Sequence, residues 1–501
     1  METQESSFAI VQPRRQIVLE PMIILYSFVT FPLQLLTQLY ILETVENDLA
    51  AKYGMMNISH YINITLDLCH MNASDPAVAF NAEVQAEASY VNLIMTLSAS
   101  VPALFVSLFL GAYSDKVGRK YAILPPLIGG IITTLAFIVV VQLHLPLWYL
   151  FISAFLCGFG GFLSTMLLGC FAYISDTTSP ETRRFRITVL EMCLLIPGIF
   201  SPLGIGKLIE TIGYMYSFVI TLVGQVIVVI YVIFFVPETV QKDTSAKFFN
   251  LTRMKQFKEL FTKKGDNRRN VKLIILFLAF FIGIVPKFDF GLDTLYLKNR
   301  PLCLSNKMVG YYMSTFLGVA TFGGILVAWL MKFCMPDQTV ALIGGLSSMV
   351  QNIYKAFVQN VIMIFFGENI NVAPVFSVFS VLYIPTVRTL LSNTVDKSEQ
   401  GVVFGAVAFL ELMCSITGVA IFNPIYASTQ NILTGFVYLV MATFYFVASC
   451  VLTVYIISYW NEGKSNPGTI TVTVPEKQPL LGSNDRGKRY VNPDETREHQ
   501  N

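Results

Sequence analysis

Long apolar runs alternate with short polar segments along most of the chain. About twelve of these runs have the roughly 20 residues needed to cross a 30 Å hydrocarbon core. They lie at 17–41, 88–112, 121–142, 146–172, 187–210, 215–236, 272–297, 308–333, 337–358, 360–386, 402–426 and 432–459. Residues 1–16 are polar, and the first run is too long for the apolar part of a cleavable signal peptide. The pattern predicts an all-α membrane protein with twelve spanning helices.

A polar, basic segment divides the twelve runs into two sets of six. This organisation is typical of transporters whose two halves rock about a central site. The predicted parts are an N-terminal tail at 1–16, a first six-helix bundle at 17–236, a linker at 237–271, a second bundle at 272–460 and a disordered polar tail at 461–501.

The composition excludes a soluble protein of this length. Hydrophobic residues make up 54% of the chain and charged residues 13%, against about a quarter charged in soluble domains. A net charge of +2, with no basic stretch interleaved with aromatic residues, gives no indication of nucleic-acid binding. We therefore expect membrane lipid as the surroundings. No catalytic or metal-ligating group stands out, so we expect neither an enzyme nor a cofactor.

Lys and Arg concentrate in segments that twelve spans place on one side of the membrane. The linker 237–271 is crowded with bases, and so are "DKVGRK" and "SPETRRFR". The opposite side holds few bases, since loop 42–87 contains only Lys52. Basic loops face the cytosol in membrane proteins. We therefore place both termini and the linker in the cytosol.

The first external loop supports this orientation independently. It carries three Asn-x-Ser/Thr sequons, at Asn57, Asn63 and Asn72. Glycan acceptors must face the lumen of the secretory pathway or the cell exterior. We therefore expect loop 42–87 to be glycosylated and external or lumenal.

The stretch "GAYSDKVGRK" places an acid, three bases and two glycines between the second and third spans. Gly111 and Gly118 permit close helix approach and a tight turn. Asp115 suits the positive end of a neighbouring helix, while Arg119 and Lys120 suit acidic partners at the membrane surface. The bases alone are also explained by positive-inside topology. The whole pattern resembles the first cytosolic turn of the major facilitator superfamily.

That resemblance implies a partner for the acid of this turn. In the superfamily the acid faces the start of the eleventh helix, which begins here near "SEQG" with Ser398 as a candidate N-cap. The corresponding turn of the second half, "KFCMPDQT", is degenerate and retains only Asp337.

Longer segments resemble one branch of that superfamily. They are "CFAYISDTTSPETRRFRITVLE", "TLYLKNRPLC", "IPTVRTLLSN", "SEQGVVFGAVAFLE" and "IFNPIYAST". They are similar to solute carrier family 46, which contains the proton-coupled folate transporter and its lysosomal relatives, and the likeness runs from Glu20 to about Trp460. The resemblance implies a secondary transporter that works by alternating access and symports protons with an organic anion towards the cytosol. Its partners would be protons and a small organic solute.

The resemblance singles out three polar residues for coupling and binding. Asp176 and Glu191 match carboxylates of the folate transporter that matter for transport and proton coupling, and Arg388 matches an arginine that assists substrate and proton binding. Ionisable groups inside apolar spans are costly and usually paired or functional, which supports Glu191 and Arg388 independently. A structural ion pair remains the alternative for these two, and a capping or gating role for Asp176.

The seventh span departs from the folate transporter. Pro286 stands where that protein has a histidine important for proton coupling. The segment instead carries Lys287 as a candidate substrate-binding cation, with Asp289 and Asp293 as candidate proton carriers on one helix face. Pro286 and Gly291 are expected to break this helix, as in transporter cavities. A helix end exposed to lumenal water is the alternative.

Two further features of the membrane-spanning part belong to the sequence-based hypothesis. Glu411, in the eleventh span, is another candidate proton-coupling acid. Cys69 and Cys303 both fall on the predicted external side, and topology together with the resemblance implies a disulfide between the two halves.

The C-terminal tail carries a candidate sorting signal. The segment "EKQPLL" fits the acidic dileucine pattern through Glu476, Leu480 and Leu481, which a sorting adaptor would read. The signal favours lysosomal or endosomal membranes over the plasma membrane. Two alternative functions stay open: a lysosomal exporter of steroid conjugates or muropeptide-like solutes, and a non-transporting receptor or sensor.

Overall fold

The fold is known from a computed structural model. It describes residues 18–53, 75–178, 180–243, 248, 259–262, 267–287, 290–358, 378–395 and 399–465. Within these ranges the secondary structure is entirely helical, which confirms the all-α expectation.

Fourteen α-helices are described, and most of those within one described range follow one another with short connections. They are α1 Leu19–Lys52, α2 Pro76–Val117, α3 Lys120–Leu143, α4 Trp148–Gly158, α5 Phe162–Thr177, α6 Pro180–Phe235, α7 Asn267–Ile284, α8 Phe290–Lys298, α9 Asn306–Gly318, α10 Gly324–Cys334, α11 Asp337–Ala356, α12 Tyr383–Asn393, α13 Gln400–Thr429 and α14 Phe436–Ser465. A 3₁₀ turn at Val285–Lys287 follows α7, and a π turn at Val319–Gly323 joins α9 to α10. The helices up to Ile456 belong to one compact unit, and the end of α14 belongs to a second.

Nine helical stretches in the described part are long and apolar enough to cross a membrane. One of them, within α6, contains both the predicted fifth and sixth spans. Gly213 separates these two spans with φ 75° and ψ 175°, a conformation that interrupts the helix and favours glycine. The predicted ninth span corresponds to α11, which is more polar than the nine stretches and is not one of them. Most of the predicted tenth span lies outside the described residues.

The predicted first loop, 42–87, is shorter than expected, because α1 and α2 extend into it from both sides. Val45 and Leu49 are buried, so the apolar face of α1 continues beyond the span we expected. At the start of α2, the Asp75 side chain accepts a hydrogen bond from the Ala77 backbone N–H at 2.9 Å, an N-cap that fixes where the helix begins.

Helices α2 and α13 pack antiparallel and join the two halves of the sequence. Ser89 Oγ donates to the backbone oxygen of Asn423 and lies 3.0 Å from it. Further along the pair, the hydroxyl oxygens of Ser100 and Ser415 lie 3.4 Å apart. Rising numbers on α2 thus meet falling numbers on α13. This register fixes the relative level of every residue on the two helices.

Candidate functional site

Arg388 on α12 connects carboxylates from the two halves of the chain. Its Nη1 lies 3.4 Å from Glu191 Oε1 on α6, and its Nη2 donates to Glu411 on α13. Ser164 on α5 donates its hydroxyl to Glu411 Oε2 at 3.4 Å. We call these four residues the Arg388 cluster. The sequence predicted Glu191, Arg388 and Glu411 as separate candidates, and the structure brings them together.

The Arg388 cluster has one more acid than base. Glu191 and Glu411 together offer two carboxyl groups to a single guanidinium. The Nε of Arg388 is buried and has no hydrogen-bond partner within the described residues. Since a guanidinium presents five N–H donors, it still has capacity for an acceptor besides the two carboxyl groups. The arrangement can therefore exchange a proton and hold an anion at one place.

A second arginine forms a comparable group at the turn between α2 and α3. Arg119 Nε lies 2.7 Å from Asp176 Oδ2, and its Nη1 contacts Asp115. Thr239 Oγ1 donates to Asp176 Oδ2 at 3.1 Å. We call these four residues the Arg119 cluster. Asp176, a candidate proton carrier with a capping or gating role as its alternative, lies near the end of α5 and pairs with Arg119 of this turn.

The backbone of this turn is held by an acid that the sequence did not single out. Gly118 has φ 140°, in the region that favours glycine. Glu238, just after α6, accepts hydrogen bonds from the backbone N–H groups of Arg119 at 2.7 Å and Lys120 at 3.2 Å. A Cβ at Gly118 would lie 2.5 Å from Glu238 Oε2, so a side chain there would displace the Glu238 carboxyl group from the turn. Gly111, inside α2, is buried.

The seventh span is broken, as Pro286 and Gly291 predicted. Helix α7 ends at Ile284, and α8 begins at Phe290. In the intervening 3₁₀ turn, Lys287 Nζ donates to the backbone oxygen of Ser380 at 3.2 Å. The break therefore contacts the segment that leads into α12, the helix of Arg388.

Asp293 on α8 is paired within the second half of the chain. Its Oδ1 lies 3.1 Å from Lys355 Nζ on α11 and accepts a 2.6 Å hydrogen bond from the Tyr438 hydroxyl on α14. The Lys355 ammonium also lies 5.4 Å from the ring centre of Phe316. We call these four residues the Asp293 cluster. Lys355 lies in the last turn of the amphipathic helix α11, and nothing in the sequence pattern indicated that it pairs with Asp293.

The N-terminal end of α2 contacts the second half of the chain through neutral polar groups. Asn299 donates to the Tyr426 hydroxyl at 3.1 Å and to Gln430 Oε1 at 3.0 Å, and it accepts from Asn81 at 2.9 Å. The Tyr426 hydroxyl also donates to Gln85 at 3.3 Å. We call this group the amide end of the molecule. Sequence patterns did not distinguish these neutral side chains from ordinary loop residues.

Comparison with known proteins was decisive for the family. The model of the Major Facilitator Superfamily matches residues 61–419. The chain belongs to this superfamily. It also belongs to solute carrier family 46, because it is 31% identical to the lysosomal proton-coupled steroid conjugate and bile acid symporter SLC46A3 of Pongo abelii. That match covers 89% of this chain and 95% of the relative.

Two further relatives fit this assignment. The proton-coupled folate transporter of Rattus norvegicus is 28% identical, over 87% of this chain and 91% of the relative. The crystal structure of the human organic anion transporter MFSD10 (TETRAN) has the same fold, with a TM-score of 0.56, 14% identity and coverage of 88% of this chain and 100% of that one. This member of family 46 is thus a multi-pass membrane transporter and not an enzyme.

Several predicted site residues of this transporter lie outside the described residues. They are Asn57, Asn63, Cys69, Asn72, Asp289, Ser398, Glu476, Leu480 and Leu481. Cys303 is disulfide-bonded, and its pairing with Cys69 stays a prediction. Glu20, at the start of α1, is buried and lies 2.6 Å from Arg186.

Proposed function

We propose that this chain symports protons with an organic anion, and that the Arg388 cluster is the coupling site. The observation that carries the proposal is an arginine shared between Glu191 of the first half and Glu411 of the second, whose Nε has no partner among the described residues. Alternating access requires contacts between the halves that form in one state and break in another.

Proton and substrate enter this site together for an electrostatic reason. With both carboxyl groups ionised, the cluster carries a net negative charge and an incoming anion is repelled. When a proton neutralises Glu191, the net charge of the cluster rises to zero, and the guanidinium regains a donor for the anion. Each ligand thus strengthens the binding of the other, which is the thermodynamic requirement for coupling.

The two ends of the molecule supply the gates in this proposal. Positive-inside topology assigns the Arg119 cluster to the cytosolic side and the amide end to the lumenal or external side. The register of α2 against α13 supports a gate at Asp115. The contacts Ser89–Asn423 and Ser100–Ser415 show that residue numbers rise along α2 as they fall along α13. Extending this antiparallel register places Asp115 level with the start of α13, near Gln400. With the amide end packed, we infer that the described conformation is closed towards the lumen.

The relatives narrow the substrate class to amphipathic organic anions. One relative is named a steroid conjugate and bile acid symporter and another a folate transporter. The dileucine segment at 476–481 favours a lysosomal or endosomal membrane, where an acidic lumen supplies protons and an adaptor would read the tail. A lysosomal exporter of steroid conjugates or muropeptide-like solutes is therefore the second candidate.

Uptake across an imposed pH gradient tests the proposal. The chain carrying Leu480→Ala and Leu481→Ala, which should redirect it to the cell surface, is supplied with labelled folate, a steroid sulfate or a muropeptide at acidic and neutral pH. We expect one of the anions to enter faster at acidic pH. If the purified chain in proteoliposomes moves none of them and produces no substrate-dependent proton current, the chain acts as a receptor or sensor instead.

A further inference from the structure

The break in the seventh span lies against two carboxamides of the first half. Asn92 on α2 is only 4% exposed, and neither atom of its amide group has a hydrogen-bond partner within the described residues. The buried Oε1 of Gln38 on α1 also has none. A Cβ built on Gly291 of α8 would lie 3.0 Å from Gln38 Oε1 and 3.1 Å from Asn92 Nδ2. The two amides therefore converge on the first turn of α8.

Leaving this buried amide unpaired is costly. An amide without partners in an apolar interior carries an uncompensated desolvation cost, so buried polar groups are almost always hydrogen-bonded. Asn92 occupies this position on α2 although no described residue satisfies its amide group. The backbone N–H of Gly291, in the first turn of α8, likewise has no acceptor within its own helix. Both features favour a ligand that brings its own polar atom.

The chemistry of these groups selects an uncharged oxygen. Asn92 offers two N–H donors as well as an acceptor, and the start of α8 offers donors only. A carbonyl or hydroxyl oxygen satisfies both. A second anionic group is disfavoured, because Asp293 lies in the same first turn of α8.

The position of this site relative to Arg388 sets the shape of the ligand. Ser100 contacts Ser415, Asn92 lies eight residues from that contact on α2, and Glu411 lies four residues beyond it on α13. At 1.5 Å per residue, the backbone levels of Asn92 and Glu411 are separated by about 18 Å. Arg388 contacts Glu411, so the anion site and the amide site lie at different depths of the same junction between the halves.

We propose that Asn92, Gln38 and Gly291 form a second subsite, which binds a carbonyl or hydroxyl oxygen at the far end of an elongated organic anion. The anionic group of the same molecule sits at Arg388, and this part rests on the proposed function. The subsite makes the transporter selective for anions that carry a polar oxygen at the end opposite their charge.

A matched pair of sulfates tests the subsite. Estrone 3-sulfate carries a ketone at the end opposite its sulfate, and its 17-deoxo analogue lacks only that oxygen. Proton-driven uptake of each by the full-length chain in proteoliposomes gives a ratio of kcat/KM values. We expect the wild-type chain to favour the ketone about tenfold, as one hydrogen bond to a buried amide predicts. Asn92→Leu should reduce this ratio to about one.

Two further variants distinguish the loss of the subsite from a folding defect. Asn352→Leu is the control, because the Asn352 amide already donates to the Ser348 backbone oxygen at 2.8 Å, and it should keep the wild-type ratio. Gly291→Ala places a methyl group between the two amides and should also reduce the ratio, while alanine is the better helix former.

The outcomes separate this proposal from the proposed function. A ratio of kcat/KM values near one for the wild-type chain overturns the subsite. A ratio that stays at about tenfold in both Asn92→Leu and Gly291→Ala overturns it as well. In either case the proposed proton-coupled transport is unaffected. If the wild-type chain moves and binds neither sulfate, the proposed function fails for this substrate class and the subsite fails with it.

Discussion

Two arginines in this molecule each lie between two carboxylates, yet their surroundings differ. Arg119 contacts Asp115 and Asp176, which all belong to the first half of the chain. Arg388 contacts Glu191 of the first half and Glu411 of the second. A cluster within one half can move as a rigid unit during transport, whereas a cluster between halves must change when the halves move. Composition alone does not distinguish a structural ion cluster from a switch.

The further partners of each cluster point the same way. Around Arg119, Thr239 donates to Asp176, and Glu238 binds the backbone of the turn. Around Arg388, the additional contact is the 3.4 Å hydrogen bond from Ser164 to Glu411. We therefore expect changes in the Arg388 cluster to alter proton coupling, and changes in the Arg119 cluster to alter stability and turnover.

The largest effect is expected from Arg388→Gln. Removing the cation leaves two acids without their partner. Breaking a buried ion pair in this way costs about 3–5 kcal/mol of stability. Proton-driven uptake should therefore fall about 100-fold or more. Arg388→Lys keeps the charge but not the forked geometry and should recover only part of the activity. Uptake within tenfold of wild type for Arg388→Gln, at equal surface expression, would remove the arginine from the coupling site.

The Asp293 cluster offers a second contact within one half for comparison. Lys355→Met leaves Asp293 without its cation, and we expect the free energy of unfolding to fall by about 3 kcal/mol. The double variant Lys355→Met with Asp293→Asn should recover most of this loss, because no uncompensated charge remains. Thermal unfolding of the purified protein measures both. Additive losses in the double variant would show that the two residues act independently.

Asp176→Asn sharpens the difference between the two arginines. We expect transport to slow about tenfold through the weakened turn, since a charge-assisted hydrogen bond contributes about 1.5–3 kcal/mol. The shape of the pH profile should stay that of the wild type. Uptake measured between pH 5 and 8 provides the check. A flattened pH profile, as expected for a variant of a proton-coupling residue, would instead support Asp176 as a proton carrier.

The smallest effect is expected from Ser164→Ala. The serine hydroxyl donates to Glu411, so Ser164→Ala removes one hydrogen bond from the cluster and should lower kcat/KM for proton-driven uptake about threefold. Thr133→Val is the matched control and should keep the wild-type value, because Thr133 donates to the Gly129 backbone oxygen of its own helix. A wild-type kcat/KM for Ser164→Ala would contradict a contribution of this contact.

The sequence predicted features that depend on local chemistry. The break of the seventh span follows from Pro286, the turn geometry follows from Gly118, and the acids Glu191 and Glu411 stand out in apolar spans. Each of these signals is contained within a few neighbouring residues, so periodicity and residue type were sufficient to find it.

Partners from distant parts of the chain were not predictable in the same way. Glu238, Lys355 and Asn299 acquire their roles only when helices pack side by side, and no spacing in the sequence encodes that packing. The pairing of Asp176 was not predictable for the same reason, since its partner Arg119 lies 57 positions away. The first loop was overestimated because helix α1 continues beyond its strongly apolar run.

Glu191→Gln tests the central claim most directly. The variant, reconstituted in proteoliposomes beside the wild type, is measured for uptake driven by an imposed pH gradient and for counterflow exchange of the same labelled anion without a gradient. The coupling site described above predicts that Glu191→Gln loses pH-driven uptake while exchange continues. Uptake by Glu191→Gln that keeps the wild-type dependence on the proton gradient would contradict it.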